Sequence, residues 1–249
     1  MPIDLRAAKV AVVLLDIEGT TTPISFVHDV LFPYARARLE QFLGDPAHAS
    51  DVDAVYDRFI KEHAQDATRA ELPPRLVPRN NPEWLKSAVG YAEWLMDRDR
   101  KSPGLKMLQG LIWEHGYQAR ELRGVVFPDV APAIRRWHAA GIRTAIYSSG
   151  SELAQRRLFE STVDGNLVPY LSGFFDTAVG PKTSADSYRA IATALNAQPS
   201  AMLFVSDVTR ELEAARAAGM QPVLSVRPGN APQETNDFEA ITSFDSLAI

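Results

Sequence analysis

The pattern of hydrophobic residues changes twice along the chain. Residues 10–15 form a continuous apolar run rich in β-branched side chains, which is typical of a strand buried on both faces of a parallel sheet. From about residue 25 to 122, apolar residues recur at helical spacing, apart from the proline-rich stretch 72–82, which predicts an irregular connection. We therefore expect a first strand that is followed by a helical insert.

Helical and strand patterns alternate in the rest of the chain. Helices are expected at 130–140, 152–160, 184–195 and 209–218, and strands at 142–147, 174–179, 202–205 and 222–226. Alternation of this kind predicts an α/β fold with a parallel sheet and right-handed crossovers. Because ligands of such sheets bind beyond the carboxyl ends of the strands, polar residues at those ends are candidates for function.

Composition narrows the class of protein. The chain has 249 residues, 46% of them hydrophobic, which suffices for a full α/β core and a smaller second domain. A formal net charge of -5 gives no net attraction for nucleic acid, and the absence of cysteine excludes disulfides, thiolate metal sites and a cysteine nucleophile. The sequence shows no signal peptide and no apolar run that could span a membrane. We expect a cytoplasmic protein without nucleic-acid or membrane partners, with a monomer as the simplest assembly.

Two carboxylates follow the first strand. Asp16 and Glu18 are two residues apart, so both can face one cleft while Ile17 points away. One carboxylate can attack phosphorus, and the other can protonate the leaving oxygen and later activate water. Gly19 permits the sharp turn that brings the backbone close to an anion. Taken alone, these residues are also typical of an ordinary turn.

Two later strand ends carry groups that suit a phosphate. Ser148 and Ser149 precede a helix, where hydroxyl and backbone N–H groups can bind phosphate oxygens. Capping of that helix by Ser151 is the alternative interpretation. Lys182 follows the strand predicted at 174–179 and can neutralise both phosphate and nucleophile, although most lysines are solvated surface residues.

The last polar strand end carries acids. Asp207 follows the strand predicted at 202–205 and can bind a hard divalent cation together with Asp16 and a phosphate oxygen. Glu211, one helical turn later, can serve as a weaker or indirect ligand, while helix capping is again the alternative for Asp207. Together the strand ends supply a nucleophile, an acid/base, phosphate donors, a cation and a metal ligand, which favours phosphoryl transfer.

The order of these motifs resembles the four motifs of the haloacid dehalogenase superfamily. Longer strings resemble more specifically the enolase-phosphatases of methionine salvage, also called acireductone synthases. These strings are residues 16–21, residues 146–151, Leu108-Gln109-Gly110 with Ile112-Trp113, and Arg227-Pro228-Gly229-Asn230. The resemblance implies a Rossmann-like catalytic core of the haloacid dehalogenase type in residues 1–20 and 121–249, with a helical cap domain, residues 21–120, inserted after the first strand.

The resemblance also implies an activity. An enolase-phosphatase enolises 2,3-diketo-5-methylthiopentyl-1-phosphate and then removes phosphate through a phosphoaspartyl intermediate, with one Mg²⁺ per monomer. When the motifs of the family are matched to this chain, the resemblance implies that Asp16 and Glu18 are catalytic and that Asp16 is the nucleophile. The metal ligands are Asp16, Glu18 and Asp207, and the phosphate-binding residues are Ser148, Ser149 and Lys182. Glu18 stands where phosphatases of the superfamily usually have Asp, and the enolase-phosphatases share this Glu.

Other interpretations of the same residues stay open. The core also suits a phosphatase for another small phosphate ester, a non-catalytic domain that binds or accepts phosphate, or a dehalogenase, which would not need the Mg²⁺ site. Four basic residues of the insert either contact substrate or form a solvated face: Arg98, Arg100, Lys101 and Lys106. The five histidines show no metal-ligand spacing and are assigned no role.

Overall fold

The chain folds into two compact units in the computed structural model, which describes residues 2–66, 71–100, 102–232 and 237–249. The first unit is Met1–His28 with Arg120–Ile249, and the second is Asp29–Ala119. The division after His28 lies beyond the predicted limit at residue 20. Residues 20–22 are buried in the first unit, where the backbone N–H of Phe127 donates to Thr21 O at 2.9 Å.

A parallel sheet forms the centre of the first unit. Its strands and a separate short pair are, in chain order, β1 (Ile3–Asp4), β2 (Val12–Leu15), β3 (Arg143–Tyr147), β4 (Gly173–Phe175), β5 (Met202–Ser206), β6 (Gln221–Ser225), β7 (Glu239–Ile241) and β8 (Leu247–Ala248). Among the described residues, six strands form the sheet in the order β4-β3-β2-β5-β6-β7, and β1 pairs with β8. The predicted α/β fold with a parallel sheet is confirmed.

Strand β2 lies inside the sheet, and all of its residues are buried, as are those of β5. Leu15, its last residue, pairs with Ile146 of β3 on one side and with Val205 of β5 on the other. Because the strands are parallel, the loops that follow β2, β3 and β5 lie side by side at one edge of the sheet. This carboxyl edge is where the sequence predicts function.

The helices alternate with the strands much as the sequence predicts. Within the described ranges the α-helices are α1 (Ile24–Phe26), α2 (Phe32–Gly44), α3 (Ala49–Asp66), α4 (Trp84–Asp97), α5 (Pro103–Gln118), α6 (Val130–Ala139), α7 (Glu152–Glu160), α8 (Ala185–Ala194) and α9 (Thr209–Ala217). Gly141 follows α6 with φ +80°, a conformation that ends a helix at little cost in glycine. None of the helices in the described ranges is long and apolar enough to cross a membrane.

Strand β4 is shorter than predicted. It ends at Phe175 because Asp176 starts a turn, in which its carboxylate accepts from the backbone N–H of Ala178 at 2.7 Å and its carbonyl accepts from Val179 at 3.1 Å. The strands β1, β7 and β8, of two or three residues each, were not predicted. Runs this short contain no measurable alternation of apolar and polar residues.

The second unit is a helical bundle, in agreement with the predicted insert. Helices α2, α3, α4 and α5 enclose an apolar core that includes Leu39, Phe59 and Leu108. Three tryptophans of this unit, Trp84, Trp94 and Trp113, are partly buried against this core. Their rings add apolar area and edge contacts, such as the one between Tyr56 and Trp84 at 6.1 Å.

A buried ion pair in the first unit joins the start of the segment Arg120–Ile249 to its C-terminal part. Asp129 Oδ2 accepts from Arg227 Nη2 at 2.8 Å and from the backbone N–H of Phe244 at 2.6 Å. Burial acts to raise the pKa of Asp129, but these hydrogen bonds and the charge of Arg227 hold that pKa below its ordinary value. The stabilisation is therefore fully present above about pH 4, the ordinary range of an unfolded Asp, and is lost as pH falls through the folded pKa.

We expect Asp129→Asn to lower the free energy of unfolding by about 3 kcal/mol at pH 7, because it leaves the buried guanidinium of Arg227 unpaired. The difference from the unmutated protein should shrink below pH 4. Urea titrations at several pH values measure both effects. The control is Asp186→Asn, which removes an exposed partner of Arg189 and should change stability by less than about 1 kcal/mol. Equal losses for the two variants would contradict the analysis.

Candidate active site

The carboxyl edge of the sheet holds a cavity of about 230 Å³ within the first unit. The residues that the sequence predicted for the site all line it: Asp16, Glu18, Ser148, Ser149, Lys182 and Asp207. Glu211, the predicted weaker ligand, lines it too. The fold therefore brings the predicted residues together at one place, while the role of each stays a prediction.

Asp16 is placed by strand β2 and held by a lysine. Its backbone N–H donates to Val205 O at 3.0 Å, so the residue still belongs to the rigid sheet, and its side chain is buried. The Oδ1 atom accepts from Lys182 Nζ at 2.5 Å, and the Oδ2 atom lies at 3.5 Å from the hydroxyl of Ser206. Asp16 Oδ1 is thus bound to the ammonium of Lys182, whereas Asp16 Oδ2 has a long contact with the hydroxyl of Ser206.

Lys182 is a buried ammonium between two carboxylates. Besides Asp16, it contacts Glu211 Oε2 at 2.7 Å. Burial disfavours the charge, but Asp16 and Glu211 together raise the pKa of Lys182 above its ordinary value, so the group stays charged throughout the neutral range. The phenol of Tyr188 donates to Lys182 O at 2.7 Å, which fixes the backbone from which this side chain extends.

Acidic groups outnumber the cation in the cavity. Burial, and then the charges of Asp16 and Glu211, raise the pKa of Asp207 to about 7. The pKa of Glu211 is raised as well, first by burial and then by Asp16, although Lys182 and the hydroxyl of Ser206 act against this. Among the described residues, four carboxyl groups and one ammonium line the cavity, so the acids, when ionised, carry more negative charge than Lys182 neutralises.

The donor set fits a magnesium ion that shares its coordination with substrate and water. Within the described parts of the chain, no three histidine, cysteine, aspartate or glutamate side chains are grouped so as to hold a metal ion by themselves. Mg²⁺ does not need such a group, because one or two carboxylates, phosphate oxygens and several waters usually bind it. Asp16 and Asp207 supply two carboxylates in one cavity, where a divalent cation would offset the excess negative charge.

A loop between β3 and α7 presents Ser148 and Ser149 to the cavity. The buried amide of Gln155 holds this loop, donating to Gly150 O at 2.9 Å and to Phe175 O at 2.8 Å. Ser151 does cap α7, because its hydroxyl accepts from the backbone N–H of Ala154 at 3.3 Å. The capping interpretation and the phosphate-binding interpretation therefore apply to different serines of the same loop.

At position 19, the loop after Asp16 is packed too closely for any residue but glycine. Gly19 has φ +67°, and a Cβ atom built there would collide with Asp207 Oδ2 and lie 2.8 Å from Asn230 Oδ1. Its N–H donates to Thr22 O at 2.9 Å, closing a tight turn. The turn thus lies directly against Asp207.

Several residues of the site had no clear signal in the sequence. His28, exposed and assigned no role, lines the cavity with Ile24; these positions are one helical turn apart, which by itself predicts a shared helix face and nothing more. Ser206 and Gln155 act through hydrogen bonds to Glu211 and to the Ser148 loop, and such contacts depend on the fold.

The fold and the cavity define a class of hydrolase. Residues 10–219 match the family model described as haloacid dehalogenase-like hydrolase. The crystal structure of the UTR4 protein from Saccharomyces cerevisiae superposes with a TM-score of 0.75 at 32% sequence identity, covering 96% of this chain and 100% of that one. The chain belongs to the haloacid dehalogenase-like hydrolases, as the sequence motifs predicted.

Within that class, its curated relatives are enolase-phosphatases. The chain is 51% identical to Enolase-phosphatase E1 of Synechococcus elongatus over 96% of this chain and 98% of that protein. It is 41% identical to the Probable bifunctional methylthioribulose-1-phosphate dehydratase/enolase-phosphatase E1 of Arabidopsis thaliana, over 94% of this chain and 47% of the longer plant protein. The predicted resemblance to the enolase-phosphatases is confirmed.

We expect Gly19→Ala to lower phosphatase activity by about 100-fold or more, because its methyl group would displace the carboxylate of Asp207 and the turn beside Asp16. The left-handed φ adds a backbone cost of about 1 kcal/mol. The measurements are steady-state phosphate release and a urea titration.

Gly141→Ala is the matched control. Gly141 also has a positive φ, +80°, but a Cβ atom there would meet nothing within 4 Å. Both variants should lose the stability that a left-handed φ costs, and Gly19→Ala should lose more because its methyl group meets Asp207; only Gly19→Ala should lose activity. Equal activity of the two variants would show that the close approach to Asp207 is unimportant.

Proposed function

We propose that the chain is a bifunctional enolase-phosphatase that converts 2,3-diketo-5-methylthiopentyl-1-phosphate into the acireductone 1,2-dihydroxy-3-keto-5-methylthiopentene and phosphate, in methionine salvage. The observation that carries the proposal is the buried contact between Asp16 and Lys182 in the cavity. The identity of 51% to an Enolase-phosphatase E1 supports the substrate. So does the name of the Arabidopsis relative, which couples this activity to a dehydratase of methylthioribulose-1-phosphate.

The proposed phosphatase reaction begins with attack by Asp16. One of its carboxylate oxygens bonds to phosphorus, and the bond between phosphorus and the C1 oxygen of the substrate breaks. Lys182 and the hydroxyl groups of Ser148 and Ser149 bind the remaining phosphate oxygens. This step leaves an aspartyl phosphate and a leaving oxygen that needs a proton.

Glu18 is the proposed acid and base. It gives its proton to the C1 oxygen and then takes one from a water molecule, which attacks the phosphorus of the aspartyl phosphate. The bond between phosphorus and Asp16 breaks, so inorganic phosphate leaves and the carboxylate is restored. The additional methylene of Glu relative to Asp extends the reach of this group by about 1.5 Å.

Enolisation has to precede loss of phosphate in the same cavity. A proton leaves C1 of the diketone and the oxygen on C2 gains one, which gives an enol that still carries its phosphate on C1. The phosphate-binding groups therefore serve both reactions, because they hold the same end of the substrate in each.

We propose that Asp16, Glu18 and Asp207 hold one Mg²⁺ per monomer, Glu18 through its backbone, so that its carboxyl group can exchange protons. When bound, the ion supplies positive charge beside the phosphate oxygens and the attacking carboxylate. The two carboxylates of Asp16 and Asp207 in one cavity and the raised pKa of Asp207 support this assignment.

The second unit, residues 29–119, is proposed to act as the cap domain that supplies contacts for substrate choice. Arg98 and Arg100 are weak candidates for such contacts, since they pair with Glu71 and Asp66 inside the unit. Lys101 lies outside the described residues. We further propose a cytoplasmic monomer; a chain without cysteine has no need of an oxidising compartment.

With Mg²⁺ present, we expect the diketo phosphate to be the preferred substrate over a panel of sugar phosphates and glycolate phosphate. The measurements are phosphate release and the absorbance of the enediol product. Asp16→Asn should lower phosphate release by about 10⁴-fold or more with an unchanged circular dichroism spectrum. Preference for an ester of the panel would show that the assigned substrate is wrong. Retained turnover in Asp16→Asn would exclude this residue as the nucleophile.

We expect Mg²⁺ binding to release protons near pH 7. Asp207 is then partly protonated, because burial and neighbouring carboxylates raise its pKa to about 7, and a bound cation favours the ionised form. Release should be small at pH 8.5, where the group is already ionised, and affinity should rise from pH 6 to pH 8. Calorimetry in buffers of different ionisation enthalpy measures the effect. Proton release that is the same at pH 7 and pH 8.5, or unchanged in Asp207→Asn, would contradict the expectation.

A further inference from the structure

The last residue of strand β6 and the five residues after it, 225–230, contact the loop after Asp16. We call residues 225–230 the clamp segment. It contains the string Arg227-Pro228-Gly229-Asn230, for which the proposed reaction has no role. Three side chains of the clamp segment donate to two successive carbonyl groups of that loop. Ser225 Oγ and Asn230 Nδ2 donate to Gly19 O at 3.1 and 2.9 Å, and Arg227 Nε donates to Thr20 O at 3.2 Å.

The clamp segment is itself firmly held. Arg227 is buried, pairs with Asp129, and donates to Thr242 O at 2.9 Å. Its guanidinium lies 4.7 Å from the ring centroids of both Phe127 and Phe244. These contacts leave Arg227 little freedom, so its hydrogen bond to Thr20 fixes the loop relative to the body of the first unit.

Asn230 lies beside Gly19, and one of its polar atoms lacks a partner. Its amide also donates to Ser225 O at 3.3 Å, but its buried Oδ1 atom has no hydrogen-bond partner. That atom approaches Gly19 from the same side as Asp207 Oδ2. A buried acceptor without a partner is destabilising, which offsets part of what the two donor bonds of this side chain contribute.

Different elements place the two catalytic carboxylates. Asp16 is held by the sheet, through its N–H on Val205 O at 3.0 Å, and by Lys182. Glu18 lies beyond the sheet, and the residue after it, Gly19, is the one that the clamp segment holds. Loosening the clamp segment is therefore expected to shift Glu18 more than Asp16.

We infer that Arg227 and Asn230 are positioning residues for the acid/base steps of the reaction, acting through the backbone of Gly19 and Thr20 on Glu18. The inference rests on the proposed phosphatase function. It requires that attack by Asp16 on a substrate with a good leaving group is insensitive to the clamp segment, since such a group needs no proton. Protonation of a poor leaving group and activation of water are the sensitive steps.

Rapid-mixing kinetics with p-nitrophenyl phosphate and Mg²⁺ separate these steps. In Asn230→Ala we expect a burst of nitrophenol close to one per enzyme, followed by a steady-state rate lowered at least tenfold. The aspartyl phosphate should accumulate, which acid quenching and mass spectrometry detect. Turnover of an alkyl phosphate, whose leaving group needs a proton, should fall by at least a further factor of ten.

Gln221→Ala is the matched control. The amide of Gln221 also bridges two backbone carbonyls, Ala8 O at 3.0 Å and Ser200 O at 2.8 Å, but at the opposite, amino end of the sheet. This variant should keep the burst, the steady-state rate and the preference among leaving groups. Ser225→Ala, which removes one donor to Gly19 O, should show the signature of Asn230→Ala more weakly, and it serves if Asn230→Ala does not fold.

Two outcomes would overturn the inference in distinguishable ways. If Asn230→Ala or Ser225→Ala lowered the burst and the steady-state rate by the same factor, or matched Gln221→Ala, the clamp segment would have no specific link to Glu18. If the unmutated protein released phosphate from neither p-nitrophenyl phosphate nor the diketo phosphate, the proposed phosphatase function would fail and the inference with it. Activity on p-nitrophenyl phosphate without activity on the diketo phosphate would change the substrate and leave the test of the clamp segment intact.

Discussion

The ammonium of Lys182 lies 2.5 Å from Asp16 Oδ1 and 2.7 Å from Glu211 Oε2 in the interior of the first unit. It extends from the loop after β4, whereas the two acids follow β2 and β5, so one side chain connects three strand ends. Buried charges are costly without partners. Carboxylates can gather at this edge of the sheet because the cation lies between them, and the remaining negative charge is what makes the cavity suitable for a divalent cation.

The residues that line the cavity are held in place by different parts of the structure. The sheet holds Asp16 directly, because strand pairing continues to its backbone N–H. Loops hold Glu18 and the two serines proposed to bind phosphate. Each loop has its own anchor: the amide of Gln155 behind Ser148 and the side chains of the clamp segment behind Gly19. Asp16, the proposed nucleophile, thus lies on the rigid sheet, and Glu18, the proposed acid/base, lies on an anchored loop. This arrangement suits a reaction in which one group forms a bond while the other exchanges protons.

The family of this chain and its proposed substrate rest on different observations. The match over residues 10–219 and the shared fold place it among the haloacid dehalogenase-like hydrolases, whose common core explains attack on phosphorus. The choice of a methylthio diketone rests on the similarity to the enolase-phosphatases E1. The arginines Arg98 and Arg100 of the second unit pair with acids of that unit, so they add little support to the proposal that this unit takes part in substrate choice.

By itself, the sequence determined the helical insert and the alternation of the longer strands with helices. It also determined the six residues predicted for the site, and these six line one cavity. The reason is physical: a buried strand needs a continuous apolar run, so the polar residue that ends the run marks the carboxyl edge, and parallel topology brings these edges together. The tertiary structure decided the early end of β4, the short strands β1, β7 and β8, the place of His28, and the contacts of Asn230 with Gly19. Gly19 and Asn230 are 211 positions apart. Contacts of this kind leave no local pattern, because they depend on how buried surfaces pack and on which backbone groups still lack a partner once the sheet has formed.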